Sequence, residues 1–279
     1  KERETGRGAA ENIMKKRINP KSILITGASS GIGASLAHFY ANAGVHLFLG
    51  GRDSKRLASV ASQCSEKGAN VEIMVGNVSD EKPMRDWVIQ SDKIAPLNLV
   101  VANAGEAGAA NKIDELHETA VNSLNSNVLG IFNVVHPAIE RMALRGPVVS
   151  DGQIAIMSSI MGYIGVARSP AYSYSKGTAR LYGQALRGAL RKTGISVSVI
   201  CPGYVDTPMN RYNRSPMPFI VSSQKAARII ARGLSKNQGR ITFPWQIRLI
   251  GRMLSILPNS VLDYINIPWG RPPLKASSD

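Results

Sequence analysis

The sequence predicts an α/β fold, a doubly wound parallel sheet with helices on both faces, and three observations carry that prediction. From Lys21 onward, short apolar runs of strand length alternate with stretches of helical periodicity. The first apolar run ends abruptly in a glycine-rich turn, Gly27-Ala-Ser-Ser-Gly-Ile-Gly33, from which a helix follows directly. Hydrophobic residues make up 44% of the 279 positions and charged residues 19%, a globular balance, and α/β chains of this length commonly fold as one domain with an ample core.

Composition also narrows the function classes. Cys64 and Cys201 are too few for a disulfide framework, which points to a reducing compartment. Neither has a Cys or His at ligand spacing, and His38, His46, His117 and His136 form no metal-binding pattern, so no metal is expected. Lys and Arg number 34 against 19 Asp and Glu, a net charge of +15 that would attract phosphates, nucleic acid or an anionic membrane. The same charge also reads as scattered solvated side chains, and without a compact basic tract nucleic acid is not expected as a partner. Residues 1 to 20 are polar and basic and lack the apolar core of a secretory signal. They read as a flexible tail or as the remnant of an upstream region.

The first strand is Ser22 to Thr26. A glycine turn between strand and helix lets backbone amides approach a pyrophosphate at the positive helix end, although a tight turn also needs small residues. The second strand, Val45 to Gly50, runs into Gly51-Arg52-Asp53. An acidic side chain at this strand end would bond the ribose hydroxyls, whereas a nearby Arg accepts a 2′-phosphate. Glycine at the strand end with Arg52 next favours NADP(H); the other reading of Arg52 is a solvated loop cation. Asp53 reads as the cap of the following helix. A third strand, Asn70 to Gly76, leads into Asn77-Val78-Ser79-Asp80, where Asp80 either bonds the adenine or caps the next helix.

Leu97 to Ala102 forms the fourth strand and closes with Asn103-Ala104-Gly105, small residues that let backbone lie against a cofactor. A long helical region, Asp114 to Arg145, carries Asn127 in its middle. Asn is a poor interior helix residue, which implies either a specific hydrogen-bonding task or a satisfied structural role. The fifth strand, Gly152 to Met157, ends in Ser158-Ser159. Strand carboxyl ends form the ligand crevice of open α/β sheets, so these hydroxyls, the glycine turn and Asn103 to Gly105 should converge. A sixth strand, Ile195 to Ile200, precedes the turn Cys201 to Pro208, and Met209 to Ser223 reads as a substrate lid or a surface loop. The helix from Ser223 and a short strand, Arg240 to Phe243, complete the alternating plan.

Between the fifth and sixth strands lies Pro170-Ala-Tyr-Ser-Tyr-Ser-Lys-Gly177, where Tyr172 and Lys176 stand one helical turn apart on a common face. A free phenol, with a pKa of about 10, is a poor acid-base catalyst at neutral pH, and an ammonium beside it favours the phenolate. The pair alone is weak evidence, because an ordinary helix carries such pairs by chance.

Taken in order, Thr26 to Gly33, Asn77 to Asp80, Asn103 to Gly105, Asn127, Ser159, Tyr172 with Lys176, and Pro202-Gly203 with Thr207 make this chain resemble the short-chain dehydrogenase/reductase family from Lys21 to Phe243. Ser159 precedes Tyr172 by thirteen residues, the family spacing, which selects it over Ser158. The resemblance implies a three-layer Rossmann domain of seven parallel strands, assembled as a homodimer or homotetramer, that moves hydride between NAD(P)H and a carbonyl or alcohol. It implies that Tyr172 donates or removes the proton, Ser159 hydrogen-bonds the same oxygen, Lys176 bonds the nicotinamide ribose and lowers the Tyr172 pKa, and Asn127 holds a water linking Lys176 to solvent. It places Gly27, Ser29, Ser30, Gly31, Ile32, Gly33, Arg52, Asn77, Val78, Asn103, Ala104, Gly105, Pro202, Gly203, Val205 and Thr207 against the cofactor.

The resulting expectation is a cytoplasmic, NADP(H)-dependent carbonyl reductase or alcohol dehydrogenase, with NAD(H) possible. Alternatives are an NAD-dependent alcohol dehydrogenase of the same fold and a non-catalytic NADP(H)-sensing or scaffold protein. Residues 21 to 244 form the Rossmann domain. Residues 245 to 279 form an apolar helical extension that packs on the domain or a subunit, lines a greasy pocket, or lies peripherally on a membrane, since no apolar span is long enough to cross one. Met161, Tyr163, Ile164, Met209 and Met217 should line an apolar substrate pocket, unless Arg168, Arg211 and Arg214 receive an anionic group.

Overall fold

A computed structural model of the chain describes residues 19–108, 110, 112–146, 152–167, 169–210, 217–258 and 260–262. The basic tail up to residue 18, Arg168, Arg211, Arg214 and residues 263–279 lie outside the described residues.

The elements follow the expected alternation. β1 (Ser22–Thr26), α1 (Gly31–Tyr40), β2 (His46–Gly51), α2 (Ser54–Ser65), β3 (Asn70–Val75), α3 (Glu81–Ile94) and β4 (Leu99–Ala102) make the first half. In the second, α4 (Glu115–Leu124) passes through a π-helical turn (Asn125–Leu129) into α5 (Gly130–Ala143), and β5 (Gln153–Met157), a 3-10 turn (Ile160–Gly162), α6 (Pro170–Ala189) and β6 (Ser196–Pro202) follow. The chain continues through β7 (Val205–Asp206), a 3-10 turn (Pro208–Asn210), β8 (Val221–Ser222), α7 (Ser223–Ser235), β9 (Arg240–Phe243) and α8 (Trp245–Leu254).

Seven strands form one parallel sheet in the order β3-β2-β1-β4-β5-β6-β9, while β7 and β8 pair separately. Every residue of β1, β4, β5 and β6 is buried, which is why apolar residues dominate these strands, with Ser196 and Ser198 as buried polar positions in β6. The edge strand β3 exposes Ile73 and Val75. Alternate side chains serve opposite layers: Ile23 and Ile25 pack with Leu36, Leu57 and Ile230 on one face, while Leu24 packs with Val88, Val134 and Ala179 on the other. This is the three-layer Rossmann arrangement.

The chain order reverses between β1 and β4, so the crevice opens where their carboxyl ends diverge. Parallel register brings those ends level, with Thr26 opposite Gly50, Ala102 opposite Ile156, and Met157 opposite Ile200. The structure departs from the expected single helix over Asp114 to Arg145, which the π turn divides. A π turn takes in one extra residue, and here it carries the buried Asn127.

Candidate active site

The glycine turn is built for close approach. Gly27 and Gly31 adopt φ of 64° and 57°, the left-handed region that a side chain disfavours. A Cβ on Gly27 would lie 2.9 Å from the Ala104 Cα, and one on Gly33 would collide with the Gly27 carbonyl oxygen. Ser30 is the N-cap of α1 and makes no side-chain capping bond, leaving the first-turn amides without a side-chain acceptor. Ile32 packs against the core behind the turn. On the β2 side, Ser29 stands beside Gly51, where a Cβ would meet the Ser29 hydroxyl at 3.3 Å.

Arg52 follows, exposed and, among the described residues, without a hydrogen bond or ion pair to its side chain. Asp53 is occupied as the cap of α2: its carboxylate accepts from the Arg56 amide at 2.9 Å and pairs with the Arg56 guanidinium at 2.8 Å. The Arg56 amide, joined by its side chain, holds that carboxyl below its ordinary range. Asp80 occupies the cap position of α3 but makes no capping bond with its side chain. Its neighbours are fixed more firmly, because Asn77 Oδ1 accepts from the Ser79 amide at 3.2 Å and the Val78 carbonyl accepts from Asn133 Nδ2 at 2.9 Å.

Thr26 knits the first and fourth strand ends together. Its Oγ1 accepts from the Asn103 and Ala104 amides, each at 3.0 Å, while Asn103 Nδ2 donates to the Thr26 carbonyl at 2.9 Å. At Gly105 a Cβ would lie 2.6 Å from Asn127 Oδ1 and 3.0 Å from Lys176 Nζ, so only glycine lets this loop lie over both side chains.

Pro170 opens α6 in its first turn, and the helix then presents Tyr172 and Lys176. Lys176 is 3% exposed; its Nζ donates to the Met157 carbonyl at 3.2 Å and lies 5.6 Å from the Tyr172 ring centroid. Burial lowers the Lys176 pKa to about 8. Ser159 caps the 3-10 turn that follows β5, accepting from the Met161 amide at 3.2 Å, and its hydroxyl hydrogen-bonds the half-buried Tyr172 phenol. Burial pushes that phenol up and the Ser159 bond draws it back. Desolvation sets the net direction of that shift.

Asn127 is fully buried and fully engaged. Its Oδ1 accepts from the Glu106 amide at 2.8 Å, and its Nδ2 donates to the Glu106 carbonyl and to Ser175 Oγ, each at 3.0 Å. Ser175 in turn donates to the Tyr172 carbonyl at 3.0 Å. Asn127 thus ties the loop after β4 to the first turn of α6.

At the end of β6, Pro202 is buried and the Gly203 amide donates to the Phe243 carbonyl at 2.8 Å. Val205 is buried in β7, and the Thr207 methyl would lie 3.0 Å from a Cβ on Gly31, which places Thr207 against the glycine turn. Thr26, Ser175 and Ser158 were not singled out as site residues. Ser158 donates to the Lys176 carbonyl at 2.7 Å and so anchors α6 to β5. Its place beside Ser159 is the signal that pointed to it.

The apolar residues expected around a substrate separate. Tyr163 and Ile164 line a cavity of about 780 Å³ with Ser173, Tyr174 and Leu181, on the face of α6 turned away from Tyr172 and Lys176. Tyr163 also lies under Arg180, 4.9 Å from its ring centroid. Met209 follows Thr207 and is exposed. Among the described residues no cluster of His, Cys, Asp or Glu could hold a metal.

The short chain dehydrogenase family model matches residues 21–218. An uncharacterized oxidoreductase of Myxococcus xanthus is 32% identical over 244 residues, covering 87% of this chain and 95% of that relative. A short-chain dehydrogenase from Sphingobium yanoikuyae, solved in complex with NADPH, superposes with a TM-score of 0.74 at 21% identity, covering 91% of this chain and 98% of that one. A variant of actinorhodin polyketide ketoreductase, also solved with NADPH, superposes with a TM-score of 0.70 at 24% identity, covering 79% and 94% of the two chains.

Proposed function

The chain belongs to the short-chain dehydrogenase family and is an oxidoreductase, and from that premise we propose that it transfers hydride between NADP(H) and a carbonyl or secondary alcohol. The observation that carries the reading is the meeting of Ser159, Tyr172 and Lys176 at the end of β5, beside a glycine turn that excludes side chains.

The residues present fit a dinucleotide. The Gly27, Ser29, Ser30, Gly31, Ile32 and Gly33 backbone would hold the pyrophosphate at the start of α1. Arg52, exposed at the end of β2, would take the 2′-phosphate, and the engagement of Asp53 as a cap speaks against the NAD-dependent alternative. Asn77 and Val78 would border the adenine, Asn103, Ala104 and Gly105 would lie under the ribose, and Pro202, Gly203, Val205 and Thr207 would border the nicotinamide. A bound nicotinamide supplies or accepts the hydride.

The chain's own residues manage the proton. Tyr172 Oη gives a proton to the substrate oxygen in reduction or takes one in oxidation. Ser159 Oγ donates a hydrogen bond to the same oxygen as charge develops on it. Lys176, as an ammonium, offsets the cost of forming a phenolate at Tyr172 and would bond the ribose hydroxyls. Asn127 keeps the first turn of α6 in register with the loop over the ribose.

The test is NADPH and NADH consumption by the wild type and Tyr172→Phe across long-chain, cyclic, sugar and dicarbonyl compounds. NADPH turnover that disappears in the variant while NADPH binding persists is the expected result. Binding of both cofactors with no turnover of any compound would favour the sensing or scaffold reading. Assembly as a homodimer or homotetramer belongs to the same proposal, supported by Tyr174 and Leu181 exposed on the outer face of α6, and light scattering checks it.

A further inference from the structure

Helix α8 exposes an apolar face that no other described residue covers. Its buried side is narrow: Ile247 packs against Gly203, and Gly251 faces Ile160 and Tyr163. Elsewhere on the helix Trp245 is 65% exposed, Leu249 54%, Ile250 44% and Met253 58%, and Ile256 just beyond it is 82% exposed. A helix surface facing water is ordinarily polar, and a contiguous apolar one marks an interaction site.

The face stands at the rim of the crevice. α8 follows β9 directly, and through Gly203 it touches the turn that leads to Thr207. On the same rim Met209, Phe219 and Ile220 are exposed, the last two just ahead of the Val221 amide that donates to the Tyr204 carbonyl.

The helix itself is basic. Its charged residues are Arg248 and Arg252, with Asp263 the next acidic residue in the sequence, in a chain of net charge +15. Trp, Met and Arg are enriched at protein interfaces as well. What points to lipid is their placement on one short helix of a strongly basic chain, the composition of a helix lying in a bilayer interface, where the apolar side enters the acyl boundary and the cations meet lipid phosphates. At ten residues α8 is too short to span, and no helix among the described residues is long and apolar enough to cross a membrane.

We infer that the exposed face of α8 docks the protein peripherally on an anionic lipid bilayer, with the crevice mouth turned toward the lipid. The docking is independent of the reaction. Its consequence, that the carbonyl or alcohol substrate partitions into lipid, rests on the oxidoreductase reading.

Co-sedimentation of the full-length protein with vesicles of phosphatidylcholine alone, or of phosphatidylcholine with phosphatidylserine, tests it. Binding to the anionic vesicles that weakens with salt is expected. Leu249→Glu with Met253→Glu should weaken it by on the order of tenfold or more, with melting temperature, elution volume and NADPH binding unchanged. Arg248→Glu, which leaves the apolar face intact, should weaken binding to the anionic vesicles selectively, and it keeps the test open should the double variant fold poorly. Absence of wild-type binding to the anionic vesicles, or equal binding by wild type and variants, would overturn the inference. So would a wild-type oligomer that the double variant splits, since the face would then join copies of the chain. A failure of the catalytic reading would leave the vesicle results untouched.

Discussion

Replacing Lys176 with methionine keeps an unbranched side chain of similar volume but removes an ammonium that the fold holds at 3% exposure. Burial lowers the lysine pKa from 10.5 to about 8, so the folded state disfavours the charge at neutral pH. The difference of roughly 2.5 units corresponds to about 3 kcal/mol. The Nζ bond to the Met157 carbonyl returns about 1 kcal/mol of that, so Lys176→Met should gain roughly 2 kcal/mol, or about 4–8 °C in melting temperature for a chain of this size. The pH dependence carries the decisive sign. Below pH 8 the lysine is protonated in both folded and unfolded states, and the wild type bears the full penalty. Between about 8 and 10.5 the unfolded chain holds a proton that the folded chain has lost, so wild-type stability rises with pH and the gap to the variant closes. Thermal melts of the two cofactor-free proteins from pH 7 to pH 10, with NADPH turnover alongside, measure it. A variant that is inactive yet more stable at pH 7 and level with the wild type near pH 10 is expected. A variant destabilised equally at both pH values would refute the reasoning, because the ammonium would then carry no desolvation cost.

Four further substitutions, one of them a control, probe the cradle, the cofactor and the frame. Gly33→Ala drives a Cβ into the Gly27 carbonyl and to within 2.7 Å of Asn103 Nδ2, so it should cost roughly 3 kcal/mol in thermal melts and weaken NADPH binding in a fluorescence titration. Gly188→Ala, on α6 with nothing within 4 Å of the new methyl, is the control and should add about 0.5–1 kcal/mol. On the proposed NADP(H) reading, Arg52→Ala would remove a charge-assisted contact of about 1.5–3 kcal/mol, which predicts a rise in the KM for NADPH of roughly tenfold to a hundredfold and an unchanged KM for NADH. Asp92 is pushed up by burial but held below its ordinary range overall by the Leu97 amide, Arg145 and Arg141. Its stabilisation is present above the unfolded carboxyl pKa and is lost as pH falls through the lower folded value, so Asp92→Asn should cost roughly 3 kcal/mol at pH 7 and progressively less below about pH 4 in urea melts.

What could be read from residues alone divides along physical lines. A sheet buried on both faces needs continuous apolar strands, and Ser22–Thr26 and Arg240–Phe243 are bounded in the structure where their composition places them. Gly27, Gly31 and Gly33 were legible because a steric requirement leaves few substitutes. Asp53 was legible as a cap because the geometry is local to three residues. Thr26 was not, since a threonine at a strand end satisfies β preference whether or not its hydroxyl receives the Asn103 and Ala104 amides from a distant strand. The π turn at Asn127 was equally hidden: it depends on bonds to Glu106 and Ser175, 21 and 48 residues away.

The Tyr172 and Lys176 pair shows why the rest resists such reading. Their spacing fixes proximity, and proximity alone argued that the ammonium would depress the phenol. The packing that brings Met157, Gly105 and Asn127 around Lys176 also removes water from both groups, raising the phenol and lowering the ammonium, so each is pushed toward its neutral form. A neutral phenol next to an amine titrating near pH 8 holds its proton ready for donation, and the Ser159 bond, which favours the phenolate, offsets part of the cost of releasing it. The direction of each shift is therefore set by desolvation gathered from three other segments of the chain, which the spacing of the pair does not reveal.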